Sequence, residues 1–571
     1  MVLRGSGVSE GIAVGKIYVY QPVYITVEEN FCESGQNKKH IERFEEVKTL
    51  AGNELRSICA FLEKEDTEKA KIFIAHQDIL NDVAINEEIR EGIEQENWTG
   101  DWGIQKIYTK FFKMIQKAKD AMIRERAADF EDVRKRILRI WHGLPESSLS
   151  VLPEPVIVAA HDLLPSDTAT LDRSKVLAIL TETGGTTSHS AIIARSYEIP
   201  AILGIPALLE HSRTGMIAAI DAKAGEVTTE PDASTIKDYE KKREKFLREQ
   251  GEIKKYLKRR GQSADGVQIE IGLNIGSAGK EELEGEASTD FVGLFRTEFL
   301  YMGRNTLPSE EEQFAVYKTV LERYGGRPVT LRTLDIGGDK NLDCLQLPRE
   351  DNPFLGNRAL RLCFTRTDIF KTQLRAALRA SAFGNLWLML PMVGSIDDIR
   401  RAKAIIAETR AELDTEGTAY SRSFKTGIMI EIPAIALVAD MAVKEIDFAS
   451  IGTNDLCQYL TAVDRINPLV AAYYQSFHPA MFRLIASVTR HFNDSGKPLC
   501  VCGEMGGNEL AAPVLAGMGM HKLSMGLASV ARVKRVLSGL TMERMEALAG
   551  SVVKMPTAAS VENYLRENLD L

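Results

Sequence analysis

Three features that would assign the sequence quickly to a class are scarce or missing. The longest apolar runs, such as LWLMLPMV (386–393), fall far short of a membrane span. The seven cysteines are odd in number and scattered, which argues against a disulfide framework and fits a reducing compartment. The formal charge of −9 is mild for 571 residues, so we expect neither nucleic acid nor a membrane as the main partner. Without an apolar signal-peptide core at its start, the chain reads as cytoplasmic.

The composition is that of an ordinary globular protein. Hydrophobic residues make up 44% of the chain and charged residues 26%, both typical values. The length exceeds what one hydrophobic core supports, so roughly three or four domains are expected.

The N-terminal part of the chain changes character twice. Apolar and polar residues alternate over the first twenty residues, as in a β-strand. A helical region follows, in which apolar residues recur at intervals of three and four residues. Within it, a long helix is expected from the NWTGDWG break to about Leu144. From LPEPVIVAAHDLLPSDTATL onward, short β-rich runs alternate with short helical ones. We therefore predict an α/β domain (1–30 and 146–231) with an inserted helical domain (31–145), followed by a charged linker helix (232–261).

The C-terminal part repeats a strand-like run followed by a helix-like one. Eight such repeats over about 300 residues are typical of a (β/α)₈ barrel with insertions, here predicted over residues 262–571. The expected strands are 267–276, 291–299, 329–335, 386–393, 427–433, 448–455, 498–505 and 522–526.

Charged residues stand where these strands are expected to end. The carboxyl ends of barrel strands form the active-site mouth, so polar groups there need a chemical reason. Glu431 and Asp455 offer the hard oxygen ligands that Mg²⁺ prefers, while arginines offer planar forks for phosphate or carboxylate. The predicted mouth holds Arg296, Arg332, Glu431, Asn454, Asp455 and Cys502, with Arg358 and Arg465 nearby.

Two further groups are candidates for chemistry. Cys502, in the glycine-rich CVCGEMGG turn, is a possible proton donor, while Cys500 is expected at the opposite register as a structural residue. His189 follows a glycine turn, with Thr187 or Ser188 as the helix cap. The free amides and dipole of a helix start favour an anion, so a phosphoryl group on His189 would be stabilised there.

Several longer stretches resemble the PEP-utilising enzymes. GGTTSHSAIIAR (184–195) is similar to that family's phosphohistidine signature, and DFASIGTNDLCQYLTAVDR (447–465) to its metal-bearing signature. The remaining motifs follow in the family's order: GLFRTEFLY, LRTLDIGGDK, NPFLGNRALR, GIMIEIPAIAL and CGEMGG. The resemblance covers essentially the whole chain and points to the branch that serves the sugar phosphotransferase system.

The resemblance implies a phosphotransferase that moves the phosphoryl group of phosphoenolpyruvate (PEP) to His189, then to the small phosphocarrier protein HPr. Pyruvate is released, and this is the first step of sugar uptake. The domain with His189 would swivel about the linker helix, the helical insert would dock HPr, and the barrel would form a homodimer. By position, the resemblance assigns PEP binding to Arg296, Arg332, Arg358, Arg465, Asn454 and Asp455, Mg²⁺ to Glu431 and Asp455, protonation of the enolate to Cys502, and orientation of the imidazole to Thr168.

Some positions depart from the family's pattern. Thr186 stands where relatives carry a basic residue, which puts one phosphate contact in doubt. FASIG and YLTAVDR replace FFSIG and YTLAVDR, swaps that should leave the acids and Arg465 in place.

Three other readings compete with this one. A pyruvate phosphate dikinase or PEP synthase shares the histidine and the barrel, but needs a phosphate-cradling loop that the first 150 residues lack. A barrel lyase would explain the metal site but leave His189 without a role. A silent phosphorylation-state adaptor would require a missing catalytic group, and none is missing.

Overall fold

The computed structural model describes residues 1–21, 25, 27–33, 35–62, 67–116, 127–144, 149, 152, 154–163, 171, 173–185, 188–197, 199–280, 282–302, 304, 306–337, 344–345, 347–348 and 350–569. The chain forms two compact units, Met1–Phe246 and Leu247–Leu571.

The first unit is built on one mixed sheet. Strands β3 to β6 pair in parallel, while β1, β2, β7 and β8 pair antiparallel with their neighbours. Alternate residues of β4 join different apolar clusters, Val158 on one face and Ile157 on the other, as the two-residue period of a strand requires. The order across the sheet is β1 (Val2–Arg4), β8 (Glu226–Thr229), β7 (Ile217–Asp221), β3 (Ile12–Tyr20), β4 (Val156–Ala160), β5 (Val176–Thr181), β6 (Ala201–Leu203) and β2 (Ser6–Ser9).

A helical region is inserted between the paired strands β3 and β4, as predicted. The prediction of one long helix to about Leu144 is wrong, because α4 and α5 pack against each other and so cannot be one straight helix. Both bury apolar faces in a single cluster, with Ile104 from α4 and Ile137 from α5. The described helices are α1 (Asn37–Leu62), α2 (Thr67–Leu80), α3 (Val83–Gln95), α4 (Gly100–Gln116) and α5 (Ala127–Trp141).

Two more helices complete the first unit and lead out of it. Helix α6 (His189–Ser196) follows β5 and packs Ala191 and Ala194 on one face of the sheet. The predicted linker helix is present as α7 (Ala233–Lys254), which crosses the boundary between the units at Phe246. The exact limits of the four predicted domains stay a prediction.

The described part of the second unit confirms the barrel, with eight strands that all pair in parallel and close on themselves. Its interior is filled by large side chains, among them Trp387, Met389 and Met429. The strands are β9 (Glu270–Ile275), β10 (Phe291–Arg296), β11 (Pro328–Arg332), β12 (Asn385–Leu390), β13 (Lys425–Ile430), β14 (Phe448–Ile451), β15 (Leu499–Val501) and β16 (Lys522–Met525).

Helices surround the strands and bury one extended apolar cluster against them. None of the helices in the described residues is both long and apolar enough to cross a membrane. They are α8 (Glu310–Tyr324), α9 (Leu360–Thr365), α10 (Thr367–Ala380), α11 (Ile396–Thr415), α12 (Pro433–Leu437), α13 (Ala439–Glu445), α14 (Thr453–Thr461), α15 (Pro479–Asp494), α16 (Ala511–Gly517), α17 (Leu527–Ser538), α18 (Met542–Val552) and α19 (Ala558–Leu569).

Each barrel strand ends earlier than the sequence suggested. Asn454 and Asp455 were expected inside a strand, but they lie in the first turn of α14. The chain turns at Gly452, whose carbonyl oxygen accepts the first helical hydrogen bond from the Leu456 amide at 3.0 Å. The two polar side chains therefore project from a helix start and not from a sheet.

Candidate functional site

The predicted barrel residues gather at the carboxyl ends of the strands. Arg296 and Arg332 end β10 and β11 and are paired in register. Glu431 and Cys502 come directly after β13 and β15. Arginines and acids from separate strands thus share one mouth, as the sequence indicated.

Arg332 is held by two buried carboxylates that sequence reasoning missed. Its Nη2 donates to Glu298 Oε1 at 2.5 Å, and its Nη1 lies 2.9 Å from Asp335 Oδ2. Burial alone would lower the pKa of Arg332, but Asp335 and Glu298 raise it overall. The guanidinium group is therefore a fixed cation in the barrel wall.

Arg358 shares one of these acids. Its Nη2 donates to Asp335 Oδ1 at 2.8 Å, and its Nη1 lies 3.9 Å from Asp455 Oδ1. The next residue, Ala359, has φ 54° and ψ −123°, a conformation that residues other than glycine rarely adopt. The Ala359 amide donates to the Ile336 carbonyl oxygen at 2.8 Å, so this loop is tied to the segment that follows β11.

Glu431 and Asp455 differ from the other two acids in their hydrogen bonds, although Asp455 Oδ1 lies within ion-pair distance of Arg358 and Arg465. Glu431 Oε1 accepts a hydrogen bond from the Met392 amide at 2.6 Å. Its Oε2 and Asp455 Oδ1 accept no hydrogen bond from the residues that the structure describes, although both are buried. Burial, with Asp455 and Asp335 nearby, raises the pKa of Glu431 to about 8. Buried oxygens without partners are costly unless a cation or a ligand completes them.

Cys502 lies in the same mouth, with its side chain 2% exposed. Burial raises the pKa of its thiol to about 11, so the sulfur carries a proton at neutral pH. The expected opposite register of Cys500 is wrong, since residues i and i+2 of a strand share a face. Cys500 also faces the barrel interior, one layer lower, where it lines a small cavity with Trp387 and Phe448.

The remaining predicted barrel residues lie around these groups. The Arg296 side chain is exposed at the end of β10. Arg465 places Nη2 3.6 Å from Asp455 Oδ1. Asn454 Oδ1 accepts a hydrogen bond from the Glu504 amide at 3.2 Å, which ties α14 to the turn after Cys502.

The second candidate site is the loop between β5 and α6 in the first unit. His189 is the first residue of α6, and Ser188 is the cap, since its Oγ accepts a hydrogen bond from the Ala191 amide at 3.3 Å. Gly184 has φ 98°, which glycine adopts without strain. The loop thus presents His189 at a helix start, as predicted. Thr168 and Thr186 lie outside the described residues.

Comparison with known proteins agrees with this arrangement. Three profiles of the PEP-utilising enzymes match the chain. The chain belongs to the family of PEP-utilising enzymes. The matches are to the N-terminal region over residues 4–126, the mobile domain over 152–225 and the PEP-binding domain over 250–542.

Relatives within this PEP-utilising family match along their whole length. A phosphoenolpyruvate-protein phosphotransferase of Priestia megaterium is 41% identical over 100% of this chain and 99% of its own. The protein of that name from Bacillus subtilis is 41% identical over 99% of both chains. The one from Staphylococcus aureus is 39% identical over 99% of this chain and 100% of its own.

Glu298 and Asp335 could have been found from the sequence. They stand in the motifs FRTEF and RTLD, at the same strand ends that supplied Arg296 and Arg332. A charged residue of either sign at a barrel mouth needs a reason, so the criterion that selected the arginines applies equally to these acids. Both have an exposed fraction of 3% or less.

Proposed function

We propose that the chain is a phosphoenolpyruvate-protein phosphotransferase, Enzyme I of the sugar phosphotransferase system. Membership of the PEP-utilising family makes it an enzyme that uses PEP. It transfers the phosphoryl group of PEP to His189 and then to HPr, and releases pyruvate in the first step of sugar uptake. The observation that carries the proposal is the barrel mouth, where buried arginines stand beside two carboxylates that each have an oxygen without a hydrogen bond from the described residues.

PEP binding follows from the charges in the mouth. PEP carries a phosphate and a carboxylate, and arginine forks match both groups with paired hydrogen bonds. We assign this role to Arg296, Arg332, Arg358 and Arg465, together with the side chain of Asn454 and the start of helix α14 at Asp455. The contacts of Arg332 and Arg358 with buried acids support this assignment, because they fix both guanidinium groups before substrate arrives.

Mg²⁺ fits the two remaining acids. Glu431 Oε2 and Asp455 Oδ1 are hard oxygen donors without hydrogen-bond partners among the described residues. No group of three or more His, Cys, Asp and Glu side chains with a geometry that could hold a metal ion lies in the described part of the chain, but Mg²⁺ typically takes only one or two carboxylates plus water and substrate oxygens. When bound, Mg²⁺ would balance the charge of the phosphate and the enolate oxygen.

The transfer itself requires a neutral His189 imidazole in line with the bond from phosphorus to the enolate oxygen. Imidazole nitrogen gains the phosphoryl group, and the arginines stabilise the negative charge that stays on the enolate. The protonated thiol of Cys502 then gives its proton to the enolate carbon, which yields pyruvate. The raised pKa of this thiol supports a proton donor at neutral pH. Thr168 keeps its proposed role in orienting the imidazole.

Because His189 and the barrel lie in different units, we propose that the first unit swivels about α7 during the cycle. The parts that would move or stay in place during the cycle are the domains proposed from the sequence. Their limits are 1–30 with 146–231, 31–145, 232–261 and 262–571. The cytoplasm is the proposed compartment, in keeping with cysteines that are all free thiols.

HPr would dock on the inserted helices. Apolar side chains are exposed there on three successive helices, at Ile74, Val83 and Met114, and exposed apolar residues often mark contact surfaces. Val83→Glu or Met114→Glu should slow transfer from phosphorylated protein to HPr, while the labelling of His189 by PEP stays unchanged. Equal transfer rates in wild type and both variants would remove HPr from this surface.

A homodimer through the barrel is also proposed. Exposed apolar side chains lie on the segments that follow β13 and β14: Leu437, Met441, Ile466, Leu469 and Tyr473. Leu469 is the most exposed of these side chains, at 90%. Sedimentation velocity should show a dimer that Leu469→Glu weakens and that Val267→Glu, an apolar surface change near the start of β9, does not. A wild-type monomer at micromolar concentration would refute the dimer.

The alternatives are less well supported. A dikinase or PEP synthase needs a nucleotide-binding domain, whereas residues 4–126 match the N-terminal region of PEP-utilising enzymes. A silent adaptor would lack part of the machinery, but every barrel residue with a predicted catalytic or binding role is present.

One experiment tests the central proposal. Protein incubated with Mg²⁺ and ³²P-labelled PEP should acquire label that is labile in acid and stable in base, as phosphohistidine is. His189→Ala should abolish the label, and His211→Ala, a change at another histidine of the same unit, should keep it. Label that persists in His189→Ala would refute the proposed function.

A further inference from the structure

Gln373, on helix α10, is a buried polar residue with 0% exposure. Its Oε1 accepts a hydrogen bond from the Leu334 amide at 2.8 Å. Its Nε2 donates to Thr297 Oγ1 at 3.0 Å and to the Tyr317 hydroxyl at 3.1 Å. An amide N–H can only donate, so the contact with Leu334 fixes the orientation of the Gln373 side chain.

These contacts bridge two strands just beyond the point where their backbone pairing ends. The last register pair of β10 and β11 is Arg296 with Arg332. Thr297 follows the first strand and Leu334 follows the second, and Gln373 joins them. The Thr297 hydroxyl also donates to the Arg332 carbonyl oxygen at 2.9 Å. Gln373 and Thr297 therefore extend the connection between the strands by one residue beyond the end of β10 and by two beyond the end of β11.

The bridged segments carry the charged groups of the mouth. Glu298 follows Thr297, and Asp335 follows Leu334, and both bind the Arg332 guanidinium group. A shift of either segment would change the distance between Arg332 and its acids. Such a shift would be costly because the guanidinium group is buried and would lose contacts with its acids. Its Nε already has no hydrogen-bond partner among the described residues.

We propose that Gln373 is a positioning residue for PEP binding, which acts by fixing the ends of β10 and β11 and so the Arg332 guanidinium group. The proposal rests on the proposed function, since it assumes that Arg332 binds PEP. Gln373 itself touches neither substrate nor metal. It acts through Thr297 and Leu334, as side chains behind an active site orient the groups in front.

A role in stability alone would have a different signature. Gln313, on α8, is equally buried and also belongs to this hydrogen-bond network, through the Tyr317 hydroxyl at 3.0 Å and the Pro308 carbonyl at 3.1 Å. Among the described residues, its side chain makes hydrogen bonds to Tyr301, Pro308 and Tyr317 and to neither strand end. Gln313→Leu therefore removes comparable buried hydrogen bonds and serves as the matched control for Gln373→Leu.

The test measures PEP binding calorimetrically in the presence of Mg²⁺, in a His189→Ala background that prevents turnover. Gln373→Leu should weaken PEP binding about tenfold, whereas Gln313→Leu should change it by less than about twofold, a tenfold loss being about 1.4 kcal/mol. Amide hydrogen exchange at Leu334 should speed up in Gln373→Leu and stay unchanged in Gln313→Leu. Thr297→Val, which removes one hydroxyl at nearly constant volume, should also weaken binding, and Thr297→Ser should restore it.

Unchanged PEP affinity in folded Gln373→Leu or Thr297→Val would overturn the proposal, as would an equal loss in Gln313→Leu. Should Gln373→Leu fail to fold, Gln373→Met decides, because it keeps the length of the side chain and removes the same hydrogen bonds, whereas Thr297→Val also removes the bond to the Arg332 carbonyl. The outcome is separate from that of the proposed function: a wild-type protein that binds PEP but forms no phosphohistidine would refute the function and leave the positioning role testable.

Discussion

At the scale of single residues, the four acids of the barrel mouth divide by what they touch. Glu298 and Asp335 bind guanidinium groups directly. Glu431 and Asp455 each keep an oxygen without a hydrogen-bond partner among the described residues. The first pair fixes the arginines through short contacts. The second pair has oxygens without hydrogen bonds that a cation could use, although Asp455 Oδ1 also lies 3.6 Å from Arg465 Nη2 and 3.9 Å from Arg358 Nη1. The same residue type thus serves two purposes, and its contacts decide which.

Cys502 allows a sharp test, because Cys500 faces the same interior two residues earlier. Cys502→Ala should lower the rate of pyruvate formation by about 10² or more, the usual contribution of a positioned proton donor. Cys500→Ala loses a similar buried thiol in the lower layer and should leave the rate unchanged. Rates measured with a coupled pyruvate assay check this, with thermal midpoints to confirm folding. Equal rates in both variants would exclude Cys502 as the donor.

Ala359 carries backbone strain next to Arg358, for which we propose a role in PEP binding. At φ 54° and ψ −123° it costs on the order of 1–3 kcal/mol that glycine would not. Ala359→Gly should therefore raise the free energy of unfolding of the barrel by about 1 kcal/mol, and weaken PEP binding because the preceding Arg358 gains freedom.

Calorimetric midpoints and PEP titrations measure both effects of Ala359→Gly. Ala207→Gly is the control, because Ala207 also has a positive φ of 54° but lies in the first unit. It should leave PEP affinity unchanged. A less stable barrel in Ala359→Gly would show that the local geometry does not strain alanine.

The location of the charged residues at the strand ends was predictable from the sequence, but their contacts were not. Arg296, Arg332, Glu431 and Cys502 were found at the mouth because strand ends are readable from apolar runs. The four acids form two pairs with different contacts, and these contacts depend on side-chain directions across several strands. No single stretch of sequence encodes those directions. The same is true of Gln373, whose helix gives no sign that its amide reaches two strand ends.

At the scale of elements, all eight barrel strands were predicted and each ended sooner than expected. Apolar runs continue past the last paired residue, because the first residues of the loops are also buried, as Thr333 and Leu334 are. In the helical region, one predicted helix proved to be two, since α4 and α5 have the same apolar periodicity. Periodicity therefore locates buried faces better than it locates their ends.

Helix α8 begins with a signal that the sequence does encode. Ser309 Oγ accepts a hydrogen bond from the Glu312 amide, and Glu312 Oε2 accepts one from the Ser309 amide at 2.7 Å. This hydrogen bond, with those from Arg304 and the Ser309 hydroxyl, lowers the pKa of Glu312 to about 2. Glu312→Gln should lower the stability of the barrel by about 1 kcal/mol at pH 7, the usual value for a helix cap.

The effect of Glu312 depends on pH in a defined direction. Its folded pKa of about 2 lies below the unfolded value of about 4.3, so the ionised group stabilises the fold at higher pH. That contribution is complete above the unfolded pKa and is lost as the pH falls through the folded one. Calorimetry should therefore show a difference between wild type and Glu312→Gln that shrinks below about pH 4. Glu322→Gln, near the end of the same helix, should show a smaller difference at every pH.

At the scale of the whole molecule, the chain separates two chemical tasks. The second unit holds the barrel mouth with its arginines and acids, and the first holds the histidine that starts α6. The motifs of both sites could be recognised in the sequence because each motif is short and local. The path between the two sites could not be predicted from the sequence. One helix, α7, crosses the boundary between the units, and the sequence of a solvated helix is compatible with many orientations.

The proposed swivel makes α7 a part whose length should matter. Four alanines inserted after Glu244 lengthen the helix by about 6 Å and should slow the labelling of His189 by PEP by about tenfold or more. PEP binding to the barrel should not change, because the mouth lies wholly in the second unit. Four residues inserted at Gly417, in an exposed turn after α11, provide the control and should leave both unchanged. If the lengthened helix supports labelling at the wild-type rate, transfer does not depend on the span of α7, and the swivel must be replaced by a flexible tether.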